Sequence, residues 1–202
     1  MTRMLSAALL GIAGLALTAC MSGPPPAVYI LGTMPAAAPG NAIQAGLPVV
    51  ELKSVRVPDY LDTTDLVLYR NGQVTFSQTG RWGERLSVGV TRTLAAGLAS
   101  RLPGMRVTTA QPVERPARQI LVDLESFEAR ADGRMVLVAL WSIIDGAARR
   151  TLTAERSTVV VPVEGSGDAA VTAAMTRCID DLAAQVAVGL GRVTQAQKIN
   201  PE

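Results

Sequence analysis

The stretch RQILVDLESFEARADGRMVLVALWSIIDGAARRTLTAERSTVVVPV, residues 118–163, carries three long β-compatible runs separated by two Asp-Gly pairs. Asp132-Gly133 and Asp145-Gly146 are turn-forming pairs that join these runs. Between and around them lie Arg118–Ala129, Arg134–Ile144 and Arg149–Val163. In the first run Ile120, Val122 and Leu124 alternate with Leu121, Asp123 and Glu125, a period of two that makes one face apolar and the other mixed. The pattern predicts an antiparallel meander with one face turned to a core.

That face needs a cover, and two segments outside the meander have the right period. Leu86, Val90, Leu94, Leu98 and Leu102 recur every four residues, with Ala95 and Ala99 beside them, before Pro103-Gly104 ends the run. From about Asp168, Val171, Met175, Cys178, Ile179, Leu182, Val186 and Leu190 recur at steps of three and four. Both read as amphipathic helices. Shorter strand candidates precede them at Val28–Gly32, at Pro48–Val57 (closed by Pro58) and at Met105–Thr109. Leu66–Arg70 and Gln73–Ser77 flank Asn71-Gly72, a strong two-residue hairpin signal. Strands and helices alternating in this order predict a single-domain α/β sandwich: a mixed, mainly antiparallel sheet packed by two long amphipathic helices.

The amino terminus has a different character. Arg3 is followed by an almost wholly apolar run from Met4 to Leu17, too short for a stable bilayer span of about 20 residues but laid out as a secretory signal. Leu17-Thr18-Ala19-Cys20 matches a lipobox, in which small residues fit a signal peptidase and the Cys20 thiol takes the diacylglycerol. The expected organisation is a signal peptide over 1–19, a lipidated tether over 20–27, a domain over 28–190 and a polar tail over 191–202. Two or three acyl chains, at about 0.8 kcal/mol per buried methylene, would make the anchor lasting. Met21 in place of an Asp favours the outer membrane, with the domain facing the periplasm.

Composition removes several function classes. Hydrophobic residues are 49 % and charged ones 18 %, as in a globular domain, and a net charge of +2 gives no electrostatic case for nucleic acid. The chain has no histidine, the side chain most used as general base and metal ligand, so histidine-based triads and HExxH zinc sites are excluded. No metal or cofactor site and no catalytic residue is expected. Cys178 sits on the apolar stripe of the last helix and reads as a small buried hydrophobe. Gly165-Ser166-Gly167-Asp168-Ala169-Ala170 has the G-x-G-x-x-A spacing of a dinucleotide loop, but no strand pattern follows its helix, so Asp168 reads as a helix cap. Trp141 is expected in the core, and Trp82 at the start of the first helix. Tyr60 and Leu61 follow Pro58 in a loop. Either they fold back over a sheet edge or they form a contact surface, with a partner or between copies of the chain; they are the candidate interaction residues.

The segments VPDYLDTTDLVLYR (57–70), RWGERL (81–86), GLASRLP (97–103) and LESFEARADGRMVLVALW (124–141) occur in an order that resembles the ABC-type transport auxiliary lipoproteins, the paraquat-inducible protein C-like family. Pro58, Tyr60, Leu61 and Asp62, followed by Arg70 and Arg81-Trp82, are the more specific part, and the similarity spans roughly Val28 to Leu190. The resemblance implies a mixed α/β sandwich and a non-enzymatic part in a lipid transport system. Its implied partner is a mammalian-cell-entry (MCE) domain protein crossing the periplasm, served by an inner-membrane ATPase and permease. Two other readings stay open: an envelope or assembly lipoprotein without lipid traffic, and a carboxylate-dependent envelope hydrolase.

Overall fold

The structure, a computed structural model, describes residues 24–32, 46–70 and 73–199. The signal peptide, residues 20–23 of the tether with Cys20, and the Asn71-Gly72 turn lie outside the described residues.

The meander forms as its alternation predicts. Strands β6 (Arg118–Ala129), β7 (Arg134–Asp145) and β8 (Thr151–Pro162) pair antiparallel, with Ile120 opposite Ile143 and Leu137 opposite Val159. Two short strands, β2 (Val49–Leu52) and β5 (Arg106–Thr108), extend this sheet in parallel, in the order β5-β2-β6-β7-β8. Beyond Leu52 the chain keeps running along β6: Arg56 N–H donates to Val122 O at 3.0 Å and Leu124 N–H to Arg56 O at 2.9 Å. The remaining strands β1 (Ala27–Tyr29), β3 (Asp65–Arg70) and β4 (Gln73–Trp82) form a separate three-stranded sheet ordered β1-β4-β3. The fold is the expected α/β sandwich, with two mixed sheets where the strand patterns suggested one.

The two helices cover the apolar face of the larger sheet. Helix α1 (Leu86–Arg101) buries Leu86, Val90, Leu94 and Leu98, the predicted stripe, and α2 (Gly167–Ile199) buries Met175, Cys178, Ile179, Leu182, Val186 and Leu190. They approach closely because Gly97 has no side chain: a Cβ there would stand 2.8 Å from that of Ala183. Trp141 lies in the core as expected, its indole N–H donating to Ser157 Oγ at 2.9 Å and its ring lying against Gly189. Thr91 stitches α1 to the sheet by accepting Val55 N–H at 2.9 Å.

Three expectations are corrected. Trp82 is buried at the end of β4 and does not begin α1; its N–H donates to Thr64 O at 2.8 Å, so strand pairing holds it. Helix α2 does not stop near Leu190 but continues to Ile199, where Gln197 bonds the Arg118 guanidinium and, at 3.3 Å, Asp145. Asp168 lies in the first turn of α2, and its carboxylate accepts the Ser77 and Thr79 hydroxyls, each at 2.7 Å. A residue read as a local cap thus ties α2 to β4, because the smaller sheet brings two hydroxyls to it. With 33 residues at 1.5 Å each, α2 is about 50 Å long.

Candidate interaction surface

The loop after Pro58 turns sharply. Leu61 N–H and Asp62 N–H both donate to Pro58 O, at 2.8 and 3.1 Å, so three successive side chains leave in different directions. Leu61 points inward and is 3 % exposed, within the main core. Asp62 reaches α1: its Oδ1 accepts Ser87 N–H at 2.9 Å and its carboxylate pairs with Arg85 at 3.3 Å. Arg85 stands at the N-cap of α1 with no side-chain cap of its own, so Asp62 supplies the missing acceptor from 25 residues away. Tyr60 is left outside, 41 % exposed.

Leu61 therefore does not belong to a surface pair with Tyr60. An apolar side chain beside a tight turn gains more by entering the core than by waiting for a partner, and the turn at Pro58 aims it there. In the sequence Asp62 stands out only as part of the family-like element, with no capping role attached to it. The local sequence offers one signal: with Arg85 at the N-cap position, and no Ser, Thr, Asp or Asn there, α1 must find a cap elsewhere.

The surroundings of Tyr60 are aromatic and acidic. Partial burial and the charges of Glu128 and Tyr69 push its phenol above the ordinary value. Tyr69 is on β3, and the β3–β4 register sets Tyr69 opposite Val74 and Val67 opposite Phe76 on one hairpin face. Val74 and Phe76 are themselves exposed. Tyr69 also borders a cleft of about 480 Å³ between the hairpin, the β6–β7 turn at Arg130 and the Gly165–Gly167 entry to α2. The arrangement suits contact with another molecule's apolar side chains.

The carboxylates have structural occupations. Burial raises the Glu51 carboxyl, but hydrogen bonds from Lys53 (2.6 Å) and Gln119 (2.7 Å), with the Lys53 charge, outweigh it and hold the group below its ordinary value. Asp145 accepts Ala147 and Ala148 N–H at 2.9 Å each and faces Arg118. Burial pushes the Cys178 thiol up to about 12. Among the described residues no group of three or more His, Cys, Asp or Glu could hold a metal, and no helix is long and apolar enough to cross a membrane.

A family model described as ABC-type transport auxiliary lipoprotein component matches residues 29–187. No curated protein sequence matches significantly. Among solved structures, the crystal structure of an uncharacterized protein superposes with a TM-score of 0.69 at 19 % identity, covering 82 % of this chain and 98 % of its own. A Xanthomonas campestris protein gives a TM-score of 0.65 at 12 % identity, covering 86 % of this chain and 99 % of its own. At such identities these likenesses show the fold alone.

Proposed function

Because the chain belongs to the ABC-type transport auxiliary lipoprotein family, we propose that it is the lipid-anchored docking component of an MCE-type lipid transport system, held at the outer membrane and facing the periplasm. Family membership implies membrane anchoring and an auxiliary part beside a transporter; Cys20 is the residue that would carry the lipid. Its work is binding and not catalysis, and the Glu51, Asp62, Asp145 and Asp168 carboxylates serve the fold. The observation that carries docking is Tyr60, held exposed while its neighbours Leu61 and Asp62 are committed to the core and to α1. Aromatic anchors of this kind often contribute about 2 kcal/mol or more to an interface.

Affinity capture tests this reading. The lipidated chain and its Tyr60→Ala variant are presented to the MCE-domain protein encoded beside an ATPase and a permease in the same genome. Capture by the parent chain and a drop of about tenfold or more in the variant are expected. Equal capture by both would remove Tyr60 from the interface, and no capture by either would remove the MCE partner. Density separation of inner and outer membranes checks the location.

A further inference from the structure

Strand β1 is the first regular element after the tether, and it is an edge strand of the smaller sheet. Ala27 lies seven positions after Cys20. At about 3.3 Å per residue that chain reaches about 23 Å at most, so an acylated Cys20 keeps β1 close to the lipid surface. The residues found there are unusual for an exposed edge. Val28 is 68 % and Ile30 44 % exposed, and both border Gly83, where a Cβ would meet Val28 Cγ1 at 3.2 Å and Ile30 Cγ1 at 3.4 Å. In the parallel register Val28 stands opposite Arg81, which is exposed and has no ion pair among the described residues.

We propose that the face made by Val28, Ile30 and Arg81 rests on the bilayer that holds the anchor, the two aliphatic side chains entering the interfacial layer and the guanidinium meeting lipid phosphates. The proposal depends on the reading of Cys20 as the lipidated residue. The interfacial layer is wet enough to solvate the free edge of β1, while the hydrocarbon interior would not be. A cation beside exposed aliphatics is complementary to anionic headgroups. The contact also lies at one end of α2. Gly32 N–H donates to Thr176 Oγ1 at 3.1 Å, so β1 lies along the first turns of α2. Gln197, which bonds Arg118, is 21 residues further, about 30 Å along the helix axis. The fully exposed Val113, in the loop leading to Arg118, therefore lies at the far end of α2 from the proposed contact.

The test uses the full lipidated chain in vesicles of phosphatidylethanolamine and phosphatidylglycerol containing a nitroxide-bearing lipid. Ile30→Cys and Val28→Cys are labelled with a fluorophore, and Val113→Cys serves as the distal site. Labelling is selective because Cys178 is fully buried. Flotation is scored first: a chain that does not float removes the anchoring reading and this surface with it. If it floats, nitroxide lipid should quench labels at 28 and 30 at least about twofold more than at 113, and Arg81→Glu should reduce that difference. Equal quenching at all three positions would overturn the proposal while leaving the anchor intact. Fluorophore self-quenching at 30 that rises with protein density, without nitroxide quenching, would assign the face to a second copy and equally overturn it.

Discussion

Tyr60 and Leu61 are adjacent in the chain and meet opposite surroundings, so single substitutions at the two positions separate binding from folding. Leu61→Ala removes a side chain from the packed core and is expected to lower stability by about 2–5 kcal/mol. Tyr60→Ala is expected to cost about 1 kcal/mol or less. Thermal melts of the two purified variants check this; a similar large loss in both would place Tyr60 in the core. Asp145 is a residue whose charge bears on acid stability. The Ala148 N–H favours its carboxylate most; burial opposes, and the Ala147 N–H, Gln197 and Arg118 add to the first effect, leaving the group below the usual range. A carboxylate depressed in the folded state stabilises above the unfolded value of about 3.9, and that stability is lost as pH falls through the lower folded value. Asp145→Asn should therefore melt below the parent at pH 7, with the gap narrowing at pH 3. A gap that stays constant with pH would show that the charge of Asp145 contributes nothing.

At the scale of an element, α2 is where general helix propensity and local packing disagree. Glycine inside a helix costs about 1 kcal/mol relative to alanine, and α2 contains both Gly189 and Gly191. A Cβ at Gly189 would stand 2.4 Å from Trp141 Cη2, whereas one at Gly191 meets nothing within 4 Å. Gly191→Ala is expected to raise stability by up to about 1 kcal/mol. Gly189→Ala should lower it by about 1–3 kcal/mol, because Trp141 is held by its Ser157 hydrogen bond and by the sheet and cannot move aside. Denaturant midpoints of the two variants would show this; a gain at both positions would mean the ring can shift. The last two turns of α2 follow the same logic. Read alone, residues 191–199 are polar and unremarkable, but Gln197 reaches Arg118 and Asp145, and that tertiary contact holds the helical end against the sheet.

For the whole molecule, the proposed anchor at Cys20 and the folded domain are expected to act separately. Cys20→Ser should release the protein from membranes without changing its melting temperature, since the lipid would be attached through a tether outside the core. Sedimentation of the variant with membranes after a high-salt wash would contradict the lipidation reading. What the sequence determined by itself was whatever depends on near neighbours. The alternation of Ile120, Val122 and Leu124 and the four-residue step of Leu86, Val90, Leu94 and Leu98 are local periodicities, and both elements formed where those periods run. Tertiary structure decided what depends on residues far apart in the chain. The division of the strands into two sheets and the place of β2 between β5 and β6 follow from which apolar faces meet when the chain closes. The candidate site shows the same limit: folding back and surface contact were both open for Tyr60 and Leu61, but that Leu61 takes the first while Tyr60 stays exposed, and that Asp62 caps α1, could not be read locally. Each is settled by a partner 25 or more residues distant or by the whole core, and no local pattern encodes such a partner.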